Sequence, residues 1–170
     1  MDTFLAIASR REVRDYAPKP VSAAIVNRIL EAGRISGSSK NTQPWTFVVI
    51  RNGVKVRELA SVVTRPSNFA SASLAIAILL EEGATLFDAG RAAQNMMLAA
   101  WNDGIGSSPN NVKDLEGFER VLSMAGGTPA TILTLGYPAR PVVPEKSEAT
   151  AWIAAADRKP LSEVVVEFGR

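Results

Sequence analysis

The chain has 170 residues, 46% hydrophobic and 21% charged, a balance that favours one folded domain over a disordered chain. Its formal net charge is only +2 and its Lys and Arg residues are dispersed, which argues against a nucleic-acid partner. With no cysteine and no histidine, it excludes disulfides, thiolate nucleophiles, Cys/His zinc sites and Ser-His-Asp triads.

In chain order, residues 2–10 or slightly beyond are predicted to form a short helix with Asp2 or Thr3 as N-cap. The charge there follows the apolar part, and the stretch is too short for a signal peptide. After Pro18 and Pro20, a second helix spans residues 22–35, where Ile25 with Ile29 and Val26 with Leu30 make an i, i+4 apolar stripe. The string GSSKNTQPW at residues 37–45 stops it. Residues 46–50 are β-branched and aromatic and read as a strand, with Asn52-Gly53 as its turn.

Residues 54–63 read as a helix and 65–68 as a loop. Residues 73–80 read as a strand whose unbroken apolar run calls for cover on both faces. The longest helix is predicted over residues 86–102 and is apolar nearly all round. Such a helix is buried on every side, which in a chain this short is easiest if a second subunit covers part of it. Residues 104–109 lead into a helix over 111–124, residues 130–137 form a strand stopped by Pro138, and a Pro-rich tail turns apolar again at 164–166. No repeat or linker divides the chain, so one domain over 1–170 is expected. No apolar run reaches about 18 residues, so no membrane span is expected and a cytoplasmic location is the default.

The common nucleotide signatures are missing. Gly104-x-Gly106 lacks a third glycine and follows a helix instead of a strand, and no Walker-type glycine loop is present. Glu81-Glu82 ends a strand, as a solvated turn does. No side chain has an ordinary pKa near neutrality, so if the chain is an enzyme a bound cofactor is expected to carry its chemistry, with no catalytic side chain and no metal expected.

Two constellations stand out. Arg10, Arg11 and Arg14 surround one turn, and Arg10 and Arg14 share a face if the first helix runs that far. They either offset the dipole at a helix C-terminus or form a clamp whose planar forks suit phosphate oxygens. In the second, Ser38, Ser39, Asn41 and Gln43 precede Pro44 and Trp45. They either shape a loop or present hydroxyls and amides to the edge of a flat heterocycle.

Together, Arg-Arg-x-x-Arg, a helix, and Ser-Ser-x-Asn-x-Gln-Pro-Trp at the mouth of a strand resemble the FMN-dependent nitroreductase family. Further matches follow in order: Asp88-x-Gly90-x-Ala92-Ala93-Gln94-Asn95, then Gly104-Ile105-Gly106-Ser107, Leu135-Gly136-Tyr137-Pro138 and Arg158-Lys159-Pro160-Leu161. The resemblance implies a three-layer α+β fold with a mixed, mainly antiparallel sheet flanked by helices, in an intertwined homodimer with FMN at the interface. It implies that Arg10, Arg11 and Arg14 hold the FMN phosphate and the adjacent ribityl or ring edge, with Glu12 among them and Arg158 joining them on the phosphate. Ser38, Ser39 and Asn41 would come from the partner subunit, and Gln43 would bind the ring or brace the loop. Pro109, Asn110 and Asn111 would lie near the flavin.

The implied activity is hydride transfer from NAD(P)H through flavin N5 to a nitroaromatic, quinone or similar acceptor, in ping-pong fashion. Alternatives within the fold are a flavoenzyme with another reaction, such as reductive dehalogenation, and a protein that binds or stores FMN without turnover. The sequence also departs from the family pattern. Glu12 stands where a serine is common, Gly37 where a proline is common and Pro109 where a tryptophan is common. The stretch 64–72 is short, which implies a reduced cover over the site.

Overall fold

The apolar run at residues 74–80 becomes the second strand of a four-stranded antiparallel sheet in a computed structural model, which describes residues 1–124 and 126–169. The strands are β1 (Trp45–Ile50), β2 (Leu74–Leu80), β3 (Gly106–Asn110) and β4 (Thr128–Gly136), in the spatial order β1-β2-β4-β3. Every residue of β2 is buried. Its even-numbered side chains, Leu74, Ile76, Ile78 and Leu80, join one core cluster, while Ala75, Ala77 and Leu79 join another. Side chains alternate across a strand, so a strand covered on both faces loses polar alternation.

Two helices close the first face: α2 (Ala23–Arg34), capped by Ser22, and α4 (Leu86–Asn102), capped by Thr85. They contribute Val26, Ile29, Ala89, Ala93, Met96, Met97 and Ala100 to that core. The second face is closed by α3 (Gly53–Glu58), by α5 (Leu115–Leu122), and by short 3-10 turns at Leu59–Val62 and Pro66–Phe69. These bring Val56, Leu59, Val62, Phe69 and Phe118 against the sheet. The unit Arg11–Val142 therefore has the three layers that the resemblance implied.

The rest of the described chain, residues 1–10 with 143–169, forms a second compact unit. It holds α1 (Thr3–Ser9), whose N-cap Asp2 accepts from the Phe4 and Leu5 amides at 3.0 and 3.1 Å. It also holds α6 (Ala149–Ala154) and α7 (Leu161–Val164), which the sequence reading left as irregular tail.

Other expectations are corrected. Helix α1 ends at Ser9, so Arg10 and Arg14 do not share a helix face. Asn52 is not a hairpin turn but the N-cap of α3, accepting from the Val54 and Lys55 amides. Residues 66–69 are a 3-10 turn instead of open loop, and α5 starts at Leu115, later than the 111 expected. Residues 106–110 are a strand, although Gly-Ser-Ser-Pro-Asn carries no strand-forming side chain; pairing with β4 imposes the conformation. The mixed, mainly antiparallel sheet is present: the named strands pair antiparallel, and among the described residues the parallel element is the bridge between Glu12 and Ser107. Helix α4 is not buried all round within one chain: Leu86 and Phe87 are 72% and 74% exposed. No described helix is long and apolar enough to cross a membrane.

Candidate functional site

The edge of β3 that does not pair with β4 is claimed by two segments that approach from opposite directions. The first runs parallel to β3: Glu12 bridges Ser107, and the Val13 amide donates to the Ser107 carbonyl at 3.1 Å. Tyr16 anchors this segment. Its hydroxyl donates to the Val13 carbonyl at 2.6 Å and lies 3.0 Å from the Thr134 hydroxyl of β4. Burial pushes its phenol well above the ordinary tyrosine range, so it stays a neutral donor. Two glycines make room. A Cβ at Gly106 would sit 2.5 Å from Val13 Cβ, and one at Gly136 would sit 2.9 Å from the Tyr16 ring.

The second segment runs antiparallel to the same edge. Val63 bridges Val112, and the Thr64 amide donates to the Asn111 carbonyl at 3.1 Å. Arg65 and the 3-10 turn follow. Asn68, buried, donates from Nδ2 to Asn110 Oδ1 at 2.7 Å. Asn110 in turn donates to the Ser108 and Ile132 carbonyls at 2.9 and 3.0 Å. By register, the two segments converge over Pro109, which has no N–H to offer them. There they enclose a cleft of about 360 Å³ lined by Glu12, Arg14, Thr64, Arg65, Asn68 and Pro109–Asn111.

Charge in the cleft is unequal. Glu12 Oε2 accepts from the Ser108 hydroxyl at 2.9 Å and lies 3.8 Å from Arg14 Nη2. With side chains 48% and 31% exposed, that ion pair is weak, yet it draws the carboxylate toward protein partners. Arg65 is exposed and has no carboxylate within ion-pair distance among the described residues. A larger cavity of about 560 Å³ lies at the ends of β1, β2 and β4. It is lined by Glu81 and Glu82 and by no cation, so it does not suit an anionic ligand. Among the described residues, no group of three or more His, Cys, Asp or Glu could hold a metal.

The loop at residues 37–43 lines no part of this cleft. Lys40, Asn41 and Gln43 hold left-handed backbone at φ 49, 56 and 51, costly for residues with a Cβ. One face of α4 braces it. Buried Asp88 accepts from the Ser39 amide at 3.2 Å and from the Thr85 hydroxyl at 2.9 Å, and Asn95 Nδ2 donates to Ser36 Oγ at 2.7 Å. Ser38 Oγ accepts from the Gln43 amide at 2.8 Å, and Gln43 Nε2 donates to the Asn41 carbonyl at 3.3 Å. The Gln43 side chain thus braces the loop here.

Of the residues singled out from sequence, the structure brings Glu12, Arg14, Pro109, Asn110 and Asn111 together in the cleft. Asn110 spends its side chain on internal hydrogen bonds. Arg11 opens the segment but does not line the cleft, and Ser38, Ser39, Asn41 and Gln43 form the braced loop. Arg10 and Arg158 belong to the terminal unit, where Arg10 ends α1 and Arg158 donates to the Ala156 carbonyl at 2.6 Å. The sequence reading missed Thr64, Arg65 and Asn68. The available signal was an arginine fixed by a following proline beside a polar pair.

Comparison with known proteins gives the following. A sequence profile described as the nitroreductase family matches residues 7–76 and 70–137. A Methanothermobacter thermautotrophicus protein, provisionally named an NADH dehydrogenase/NAD(P)H nitroreductase, is 30% identical over 150 residues, which span 82% of this chain and 78% of its own. A provisionally assigned nitroreductase from Desulfovibrio desulfuricans, solved in complex with FMN, has a TM-score of 0.83 at 26% identity, over 100% of this chain and 99% of that one. A family protein from Clostridium difficile shares the fold at a TM-score of 0.83 and 23% identity, over 100% of both chains.

Proposed function

The chain belongs to the nitroreductase family, and from that premise we infer that it is an FMN-dependent oxidoreductase that uses NAD(P)H to reduce a small-molecule acceptor. The observation that carries this reading is the convergence of Arg14 and Arg65 over Pro109–Asn111, in a cleft where the one carboxylate is held by Ser108 and Arg14. These residues fit FMN. Guanidinium forks suit its phosphate and the electron-rich edge of its ring, and the volume falls within the range of small-ligand sites, roughly 300–1,000 Å³.

The redox chemistry, hydride uptake at flavin N5 and delivery to a nitroaromatic, quinone or similar acceptor in alternating half-reactions, belongs to the cofactor. The chain's own residues bind and orient. Arg14, with Arg11 beside it in the chain, would hold phosphate and ribityl oxygens. Arg65 and Arg14 would also offer positive charge to a ring held in this cleft, a preorganised field that would favour its reduced, negatively charged form. Tyr16 ties the Val13 backbone, next to Arg14, to β4 without trading a proton.

The site is completed by a second copy of the chain, in a homodimer. Ser38, Ser39 and Asn41 stand on a braced, strained loop that lines no part of the Arg14–Arg65 cleft, an arrangement suited to a neighbouring site. Exposed Leu86 and Phe87 beside that loop, and Leu161, Val166 and Phe168 at 78%, 78% and 95% exposure, are apolar surface that a second copy would cover.

The test is direct. Purified protein supplied with FMN should retain stoichiometric flavin and run as a dimer, and NADH or NADPH should bleach its absorbance bands without oxygen. A colourless protein after FMN is supplied overturns the reading.

A further inference from the structure

One wall of the cleft sets a carboxylate beside the cation best placed to hold an anion. Val13 packs on Gly106, where a Cβ would sit 2.5 Å from Val13 Cβ, and the Glu12–Ser107 bridge fixes the backbone before it. Side chains alternate along a chain laid on a strand, so Glu12 and Arg14, on either side of Val13, both turn into the cleft. There Glu12 Oε2 lies 3.8 Å from Arg14 Nη2, and the buried Ser108 hydroxyl donates to the same oxygen at 2.9 Å. Among the described residues, Glu12 is the one carboxylate within ion-pair distance of Arg14, and no other acidic side chain lines the cleft.

Resting on the flavoenzyme reading, we propose that Glu12 competes with a bound phosphate, that of FMN, for the Arg14 guanidinium, and so sets how tightly the chain holds its cofactor. A guanidinium already beside a carboxylate presents a phosphate with a nearly neutral couple, where a lone one would present a full charge. Ser108 keeps the carboxylate from leaving, so an arriving phosphate must take the fork and then lie close to the charge it displaced. Both effects oppose a phosphate and leave an uncharged flavin untouched. At a partly exposed site, removing one such charge changes phosphate affinity about tenfold. The pair itself adds little to the fold at this exposure, so its effect is read in the ligand.

The experiment titrates the purified full-length protein with FMN and with riboflavin, which has the same ring and ribityl chain but no phosphate, following flavin fluorescence. Glu12→Gln, which keeps the shape and can still accept from Ser108, should bind FMN about tenfold tighter than the wild type, with riboflavin affinity and thermal melts unchanged. In an Arg14→Ala background most of that gain should vanish, because the two residues act on one contact. Unchanged or weaker FMN binding by Glu12→Gln overturns the proposal, as does an equal gain for FMN and riboflavin, which would set the carboxylate against the ring or ribityl chain. A gain undiminished in the Arg14→Ala background also overturns it, since the carboxylate would then repel a phosphate held by other groups. Inorganic phosphate, followed by phosphorus NMR, lets the two readings fail separately. A chain that takes up neither flavin but binds inorganic phosphate more tightly as Glu12→Gln refutes the flavoenzyme reading alone. One that binds FMN with no gain in Glu12→Gln refutes this proposal alone.

Discussion

The cleft and the loop at residues 37–43 both carry candidate ligand-binding groups, but they are held in opposite ways. The cleft's walls are backbone laid on the edge of β3, fixed by main-chain bridges at Glu12–Ser107 and Val63–Val112 and by the buried Asn68–Asn110 pair. The loop has no strand to lie on. Left-handed Lys40, Asn41 and Gln43 shape it, and side chains of α4 brace it through Asp88 and Asn95. A sheet edge can position a ligand cradle at little conformational cost. A loop with no strand beneath it is held instead by strained backbone and a rigid helix behind it.

That contrast sets the order of the expected effects. The largest should come from filling the cradle. Gly106→Val drives a side chain into Val13, should destabilise the fold by about 3 kcal/mol, and should release FMN; urea unfolding and flavin content check both. If FMN stays bound at full occupancy, the docking of residues 12–14 on β3 does not define the cofactor cradle.

Next comes charge. Arg14→Ala should weaken FMN binding by about 2 kcal/mol, roughly thirtyfold, while leaving unfolding stability within about 0.5 kcal/mol, as fluorescence titration and thermal melts would show. In the loop, Asp88→Ala leaves the Ser39 amide and the Thr85 hydroxyl without their acceptor. It should cost about 1.5 kcal/mol and raise hydrogen exchange across residues 37–43, with the cleft segments unchanged. Exchange rising equally at residues 12–16 would erase the distinction between the two regions.

Tyr16→Phe should cost about 1 kcal/mol and change the pH dependence. The folded phenol holds its proton beyond the ordinary tyrosine value near 10, so above that pH the unfolded chain ionises first. Wild-type stability should therefore be full below pH 10 and fall as pH rises beyond it, with a shallower slope in Tyr16→Phe. The smallest effect, and the one gain, belongs to Lys40→Gly. Relief of left-handed strain should stabilise the chain by about 0.5 kcal/mol, read as a small rise in Tm. A loss instead would mean that the Lys40 backbone is not strained.

Much of this was legible in the sequence, and what was not has a physical reason. The bounds of α4 follow from its long apolar run ending before Gly104, and the two-sided burial of β2 follows from its unbroken apolar run. Both signals are local. Strand β3 was invisible because Gly-Ser-Ser-Pro-Asn has no strand propensity, and β4 supplies its conformation. Arg65 was missed for a related reason: its place at the cleft depends on Val63 meeting Val112, residues far apart in the chain. The arginine cluster was seen as a unit on one helix face, but α1 ends at Ser9, so Arg10 and Arg14 share no helix face. Glu12, a carboxylate where a serine is common, accepts from the Ser108 hydroxyl, and that hydroxyl could not be paired with it from sequence.

The most direct measurement of the central claim is an anaerobic titration of the FMN-loaded protein with NADH and NADPH, followed by addition of acceptor. Full bleaching of the flavin bands by at least one nicotinamide, and their return on adding a nitroaromatic or quinone, is the expected result. Bound flavin that neither nicotinamide reduces would contradict the oxidoreductase reading and leave a protein that holds FMN without turning it over.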